Sequence, residues 1–282
     1  KKFIKLDTVI DPVFIKSTLK KALPFGLAFI FGGIYFFIGS IMLSKMKGDV
    51  EVAIFSAAYN RALALIFIPT VYINAIYPVL SRYYKESKSG LRLLYERSFK
   101  YLYIAGVPIS LGIFMLSDEI IGFLYGTRYS TSSIALRIIS LYLFLKFINF
   151  LLGVVLSSID KQNKRMLGQG ITAGISILLN LWLIPLIGFV GAALSTLITE
   201  IFLFMIYYLF VSKSWYYYNF LGILPKPIIA AIAMSLFIGF TSLNLIITLV
   251  ASAAIYLAVL MVLRTLDKKD YEIIGKIFKN EG

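Results

Sequence analysis

Eight runs of apolar residues, at about 23–44, 53–80, 101–117, 133–158, 168–187, 190–211, 227–243 and 245–263, frame the chain. A helix needs roughly 20 such residues to cross a bilayer. None of the runs alternates polar and apolar positions, as the strands of a closed membrane β-barrel must. The pattern therefore predicts an all-α integral membrane protein of about eight transmembrane helices. Run 53–80 is longer than a span needs, so that helix is tilted or projects into water at one end. Turn signals separate the runs: Lys47-Gly48-Asp49, Ser87-Lys88-Ser89-Gly90, Asp160 to Arg165, and Ile187-Gly188. Runs 168–187 and 190–211, and likewise 227–243 and 245–263, are joined so tightly that each pair is predicted to be an antiparallel helical hairpin.

Charge adds an orientation. Only 15% of residues are charged and 60% are apolar, where a soluble domain carries about a quarter charged residues. The net charge of +14 is not spread as a nucleic-acid groove would require. Twenty-two of the 28 Lys and Arg fall in segments 1–22, 81–100, 159–167, 212–226 and the tail from Arg264, all on one side of the predicted topology. The opposite loops hold Lys45, Lys47 and Arg128. By the positive-inside rule the first set is cytoplasmic. Both ends of the segment are then expected in the cytoplasm, and the expected location is the cell (plasma) membrane. The basic 81–100 loop also offers a dock for acidic partners, although the positive-inside rule alone accounts for it. The chain has no cleavable signal pattern and opens on Lys-Lys rather than Met, which suggests the C-terminal part of a longer polypeptide.

Chemistry is sparse. Cysteine and histidine are absent, which removes disulfides, thiol nucleophiles, imidazole or thiolate metal sites and a histidine proton relay. The outer loops are short, the longest at roughly 118–132. They offer Asp49, Glu51, Asp118 and Glu119 with three basic residues. No paired-carboxylate spacing, phosphate-binding Gly loop or nucleophile elbow is present. The expectation is no catalytic residue, no metal, no cofactor and no enzyme activity.

Ionisable groups at membrane depth are costly, at about 2.5–3.5 kcal/mol each on insertion scales. Lys146 lies near the middle of 133–158 and Glu200 near the middle of 190–211. Lys146 shares a helical face with Tyr142, Asn149, Gly153 and Ser157. A Lys146–Glu200 ion pair between neighbouring helices is the expected arrangement, and it leaves open whether the pair is structural or part of a transport pathway. Asn60 and Arg61 precede Pro69, Asn74 and Pro78 on one span, and a polar, proline-broken membrane helix lines a cavity or packs on neighbours. Arg137, one turn inside its helix, is expected to snorkel outward. The candidate substrate-pathway residues are Asn60, Arg61, Asn74, Lys146, Asn149 and Glu200.

Two stretches carry a family resemblance. Residues 53–83, AIFSAAYNRALALIFIPTVYINAIYPVLSRY, resemble a helix of polysaccharide flippases through Tyr59, Pro69, Pro78, Ser81 and Arg82. Residues 178–200, LLNLWLIPLIGFVGAALSTLITE, resemble a hairpin of the same family through Asn180, Ile184-Pro185, Gly188 and Gly191-Ala192-Ala193. The chain thus looks like the C-terminal half of a lipid-linked oligosaccharide flippase of the multidrug/oligosaccharidyl-lipid/polysaccharide exporter superfamily. The resemblance implies a cytoplasmic lead-in at 1–22, a six-helix second lobe at 23–212, and an additional two-helix hairpin with a basic tail at 213–282. It implies alternating access that moves a lipid-linked glycan from the cytoplasmic to the outer leaflet for surface polysaccharide biosynthesis. The partners implied are the glycan's anionic phosphate or pyrophosphate head, membrane lipids and an N-terminal lobe of the same polypeptide, with no nucleic acid. Arg61 matches best as a ligand for that head, by its fork of donors. One position departs from the family: Gly39 stands where many relatives carry an acid midway along the first helix of this lobe. Coupling would then use Glu200, the other lobe, or no ion. A drug or metabolite exporter of the same fold and a non-transporting scaffold of glycan assembly are the alternatives.

Overall fold

The computed structural model describes residues 11–267 and Asp270. The first ten residues, 268–269 and 271–282, which include part of the expected lead-in and most of the expected basic tail, lie outside the described residues. Nine α-helices follow in order among those described: α1 (Pro12–Lys47), α2 (Asp49–Leu65), α3 (Phe67–Glu86), α4 (Lys88–Met115), α5 (Ser117–Tyr125), α6 (Ser132–Ser158), α7 (Gln162–Ser214), α8 (Pro225–Phe240) and α9 (Leu245–Val262). No strand occurs among the described residues. α2 and α3 form one 38-residue apolar unit, which leaves seven elements long and apolar enough to cross a membrane.

The longest of these, α7, is two spans. A straight helix of 53 residues would be about 80 Å long. Instead Ile187 leaves the helical region and Gly188 takes φ 57°, a conformation glycine adopts without steric penalty. Arms 162–186 and 189–214 then run back along each other. Tyr207 donates to the Arg165 carbonyl at 3.3 Å and Ser195 to the Ser176 carbonyl at 3.4 Å. Gly191 lies against the Leu183 backbone, where a side chain would collide. The turn is held from outside by the α1–α2 corner. Lys47 Nζ donates to the Pro185 carbonyl at 2.9 Å, and Glu51 accepts from the Phe189 amide at 2.7 Å. A cation thus meets the carbonyl end of one arm and an anion the amide end of the other, as both helix dipoles favour. Counting both arms gives eight spans.

α6 is the central helix, with 72% of its apolar window buried against 39% or less in every other span. It packs on α2, α3, α4, α5 and α7, while α1 lies along α7. The half of the core away from the basic loops gathers Tyr35, Phe55, Tyr59, Leu136, Tyr142 and Ile184. The half toward the basic loops gathers Tyr95, Phe99, Phe147, Leu151 and Tyr207. α8 and α9 form an antiparallel pair seated on α4, where Tyr256 donates to the Ile104 carbonyl at 2.8 Å and Tyr103 to that of Leu224 at 3.3 Å. Beyond α9, Asp270 is buried between Arg97, Lys100 and Tyr101 of α4, and Asp267 pairs with Arg97 at 2.6 Å. The Arg97 hydrogen bond holds the Asp267 carboxyl below the usual carboxylate range. Burial alone would raise Asp270, but hydrogen bonds from Lys100 and Tyr101 outweigh it and lower that carboxyl too.

Candidate functional site

The site grows from one face of α6. Tyr142, Lys146 and Asn149 recur at spacings of three and four, so they line one stripe of the helix, and the stripe meets the second arm of α7 at Glu200. Glu200 is fully buried and Lys146 only 3% exposed. Lys146 Nζ lies 3.4 Å from Glu200 Oε2. Asn149 Nδ2 donates to Glu200 Oε1 at 2.8 Å and to its carbonyl at 3.0 Å. The Tyr35 hydroxyl on α1 donates to Glu200 Oε2. The ammonium also rests among rings, 4.3 Å from the Phe36 centroid, 4.6 Å from Tyr35, and 5.4 Å from both Tyr142 and Phe150. Such a desolvated charge is held by pairing and by cation–π attraction together. Three helices, α1, α6 and α7, are thereby tied at one buried point.

Toward the basic end, this cluster opens into cavities that meet at Arg165. One of about 440 Å³ lies between α1 and the start of α7, walled by Phe25, Phe29, Phe36, Phe37 and Phe150, with Arg165 and Gln169 as its polar edge. A small one of about 50 Å³ joins Arg165 to Lys146 and Asn149. A third of about 310 Å³ extends past Arg165 to Thr70, Asn74 and Tyr77 of α3. No carboxylate lines any of the three.

The structure therefore brings together Lys146, Asn149 and Glu200, and it places the ion pair anticipated between neighbouring helices at contact distance. Asn74 lies on the wall shared with Arg165. Asn60 and Arg61 are exposed on α2, with the Arg61 guanidinium 5.7 Å from the Tyr125 ring centroid. Arg137 pairs with Asp118 near the end away from the basic loops. Gly39 is buried, and a side chain there would meet Asn180 Oδ1 at 3.6 Å, an oxygen with no hydrogen-bond partner. Arg165 was hidden in the sequence among the loop cations of 159–167. Its signal is the polar stripe Arg165, Gln169, Thr172 at helical spacing. Among the described residues, no three His, Cys, Asp or Glu side chains converge as metal ligands.

Comparison with known proteins places this geometry. The family described as "Polysaccharide biosynthesis protein" matches over residues 1–84. The EPS I polysaccharide export inner membrane protein EpsE of Ralstonia solanacearum is 28% identical over 129 residues, covering 45% of this chain and 29% of that protein. The probable low-salt glycan biosynthesis flippase Agl15 of Haloferax volcanii is 25% identical over 136 residues, covering 48% of this chain and 29% of that one. In fold, the chain superposes on an inward closed lipid II flippase MurJ with a TM-score of 0.71 at 18% identity, over 93% of this chain and 57% of MurJ. The chain is thus similar over part of its length to proteins of polysaccharide export, and its fold is that of the lipid II flippase MurJ. A superfamily transporter from Pyrococcus furiosus superposes with a TM-score of 0.61 at 17% identity, over 84% of this chain and 52% of that one. The chain is a multi-pass membrane protein that spans just over half the length of these structural relatives and less than a third of the curated ones. The relatives named above are described as export proteins or flippases rather than enzymes.

Proposed function

We propose that the chain is the second lobe, with its added hairpin, of a flippase that moves a lipid-linked oligosaccharide from the cytoplasmic to the outer leaflet of the plasma membrane. The division follows the sequence: lead-in 1–22, lobe 23–212, hairpin and tail 213–282, with an N-terminal lobe completing the transporter. The reading is carried by one observation. A chain similar to a probable glycan flippase takes up a MurJ-like fold in which the three cavities meeting at Arg165 carry cations and no carboxylate. Cationic walls suit an anionic head group, whereas export of cationic drugs calls for acidic ones. Arg61 and Asn60, exposed on α2, and Asn74, Lys146, Asn149 and Glu200 are the proposed pathway residues. Guanidinium suits a phosphate or pyrophosphate through its bidentate fork.

Removing the gene from its host tests the proposal. The surface polysaccharide should be lost while the lipid-linked precursor accumulates, reachable by a non-permeant glycosidase only after lysis. Surface polysaccharide at its normal level would overturn the reading. Arg61→Ala should abolish export with expression unchanged, and Arg61→Lys should restore only part. Full complementation by Arg61→Ala removes Arg61 from the pathway.

A further inference from the structure

We infer that Arg165 is the head-group ligand of an amphiphile site in the open groove between α1 and α7, one that takes a phosphate or diphosphate carried on a long apolar chain. The inference rests on the flippase reading only for the source of that ligand. Arg165 stands in the first turn of α7 and lines all three of the cavities that meet there. One nitrogen is anchored, Nη1 donating to Ser157 Oγ at 3.0 Å. Its Nε is buried and has no hydrogen-bond partner. Among the described residues Arg165 enters no ion pair. That sets it apart from the cluster cation beside it, since Lys146 is neutralised by Glu200 at 3.4 Å. A buried donor on a guanidinium is costly to leave unsatisfied, and an oxyanion in the cavity satisfies both its hydrogen bond and its charge.

The walls name the rest of the ligand. From the guanidinium, the cavity of about 440 Å³ runs along Phe25, Phe29, Phe36 and Phe37 of α1. One charged donor at the end of an aromatic trough suits an anionic head with an apolar tail, and it suits neither a free sugar nor a small inorganic anion. The side-chain amide of Gln169, one turn along from Arg165, adds a polar group on the same wall. Its Oε1 is buried without a partner, so it is free to accept a hydrogen bond from a hydroxyl or a protonated phosphate oxygen. The start of α7 lies at the end of the bundle with the basic loops, so the site faces the leaflet where a phosphorylated lipid is made in the proposed cycle.

The test is binding by the full-length protein in nanodiscs of phosphatidylcholine, measured by native mass spectrometry. The probes are geranylgeranyl diphosphate, geranylgeraniol and phosphatidylglycerol. Arg165→Gln should weaken diphosphate binding at least tenfold and leave the alcohol unchanged. Arg165→Lys should weaken it severalfold, and Arg128→Gln, which removes an outer-loop charge, should match wild type. Equal diphosphate affinity in wild type and Arg165→Gln overturns the inference, as does equal loss of the diphosphate and the alcohol. If Arg165→Gln does not fold, Arg165→Lys decides, and wild-type affinity there overturns it. Displacement of the diphosphate by equimolar phosphatidylglycerol assigns the site to bulk phospholipid, and no displacement assigns it to a polyprenyl phosphate. Binding that depends on Arg165 in a protein that moves no glycan sinks the flippase reading and leaves the site. Glycan transport with Arg165-independent binding sinks the site alone.

Discussion

Neutralising Lys146 and Glu200 one at a time and then together measures what the buried pair contributes. At 3.4 Å and an effective dielectric of about 20, their attraction is about 5 kcal/mol before desolvation is subtracted. Both side chains are almost fully buried, so removing one strands the other out of water at about 3–5 kcal/mol. Lys146→Met leaves a carboxylate still bonded to Tyr35 and Asn149. Glu200→Gln leaves an ammonium still ringed by Tyr35, Phe36, Tyr142 and Phe150. Those remaining partners put each single variant near the lower end of the range, at about 3 kcal/mol. The double variant strands no charge and should lose about 1 kcal/mol, less than either single variant and far below the additive 6, a coupling of about 5 kcal/mol in a double-mutant cycle. Reversible unfolding in mixed detergent micelles reads all four proteins. Additive losses, or single losses below about 1 kcal/mol, would refute the reasoning. Export by the double variant is the companion readout, because recovered stability without recovered export assigns the pair to the transport cycle.

Other expectations follow from particular contacts. Gly188→Ala places a side chain at φ 57° and 2.5 Å from Glu51 Oε2, so it should cost about 2–3 kcal/mol and lower the unfolding temperature. Glu51→Ala, which removes the bond to the Phe189 amide, should cost about 1–2 kcal/mol. Gly39→Ser brings a hydroxyl within reach of the unpartnered Asn180 Oδ1 and should raise stability by about 1 kcal/mol, whereas a fall would refute that geometry. Because Asp267 and Asp270 are lowered in the folded protein, their pairing with Arg97 and Lys100 is intact above the ordinary carboxylate range and is lost as pH falls through the lowered values. Proteolysis around Thr265–Asp267 at successively lower pH reads this: protection should weaken progressively below the ordinary carboxylate range, and protection that stays constant through the whole acid limb would contradict it.

The spans were legible because lipid demands long apolar helices, and that requirement writes itself as composition. Their extensions were not. α1 begins at Pro12, eleven residues before its apolar run, because Asp11 caps it through the Val13 and Phe14 amides. α4 likewise starts at Lys88, capped by Ser87. Both extensions are amphipathic or charged and therefore invisible to a search for bilayer spans. The long run 53–80 is interrupted at Ile66, since Pro69 has no amide to offer the carbonyl four residues earlier. The stretch near 118–132, expected as a loop, contains most of α5, a helix too short to register as a span. Within the site, Lys146 and Glu200 stood out because a charge at mid-membrane needs a partner. Arg165 did not, since a cation at the edge of a basic loop is what the positive-inside rule already expects. Only the fold shows that its guanidinium turns inward beneath Gln169 and the α1 phenylalanines.

The central claim is tested most directly by transport in a defined bilayer. The full-length protein is reconstituted into vesicles carrying a lipid-linked oligosaccharide with a fluorophore on its glycan, and a non-permeant quencher is added outside. Without movement only the outer-leaflet half of the label is quenched. The account predicts that quenching proceeds to nearly all of the glycan lipid, is unchanged for a fluorescent phosphatidylcholine, and falls back to half with Arg61→Ala. Quenching that stops at half with active, folded wild-type protein would contradict it.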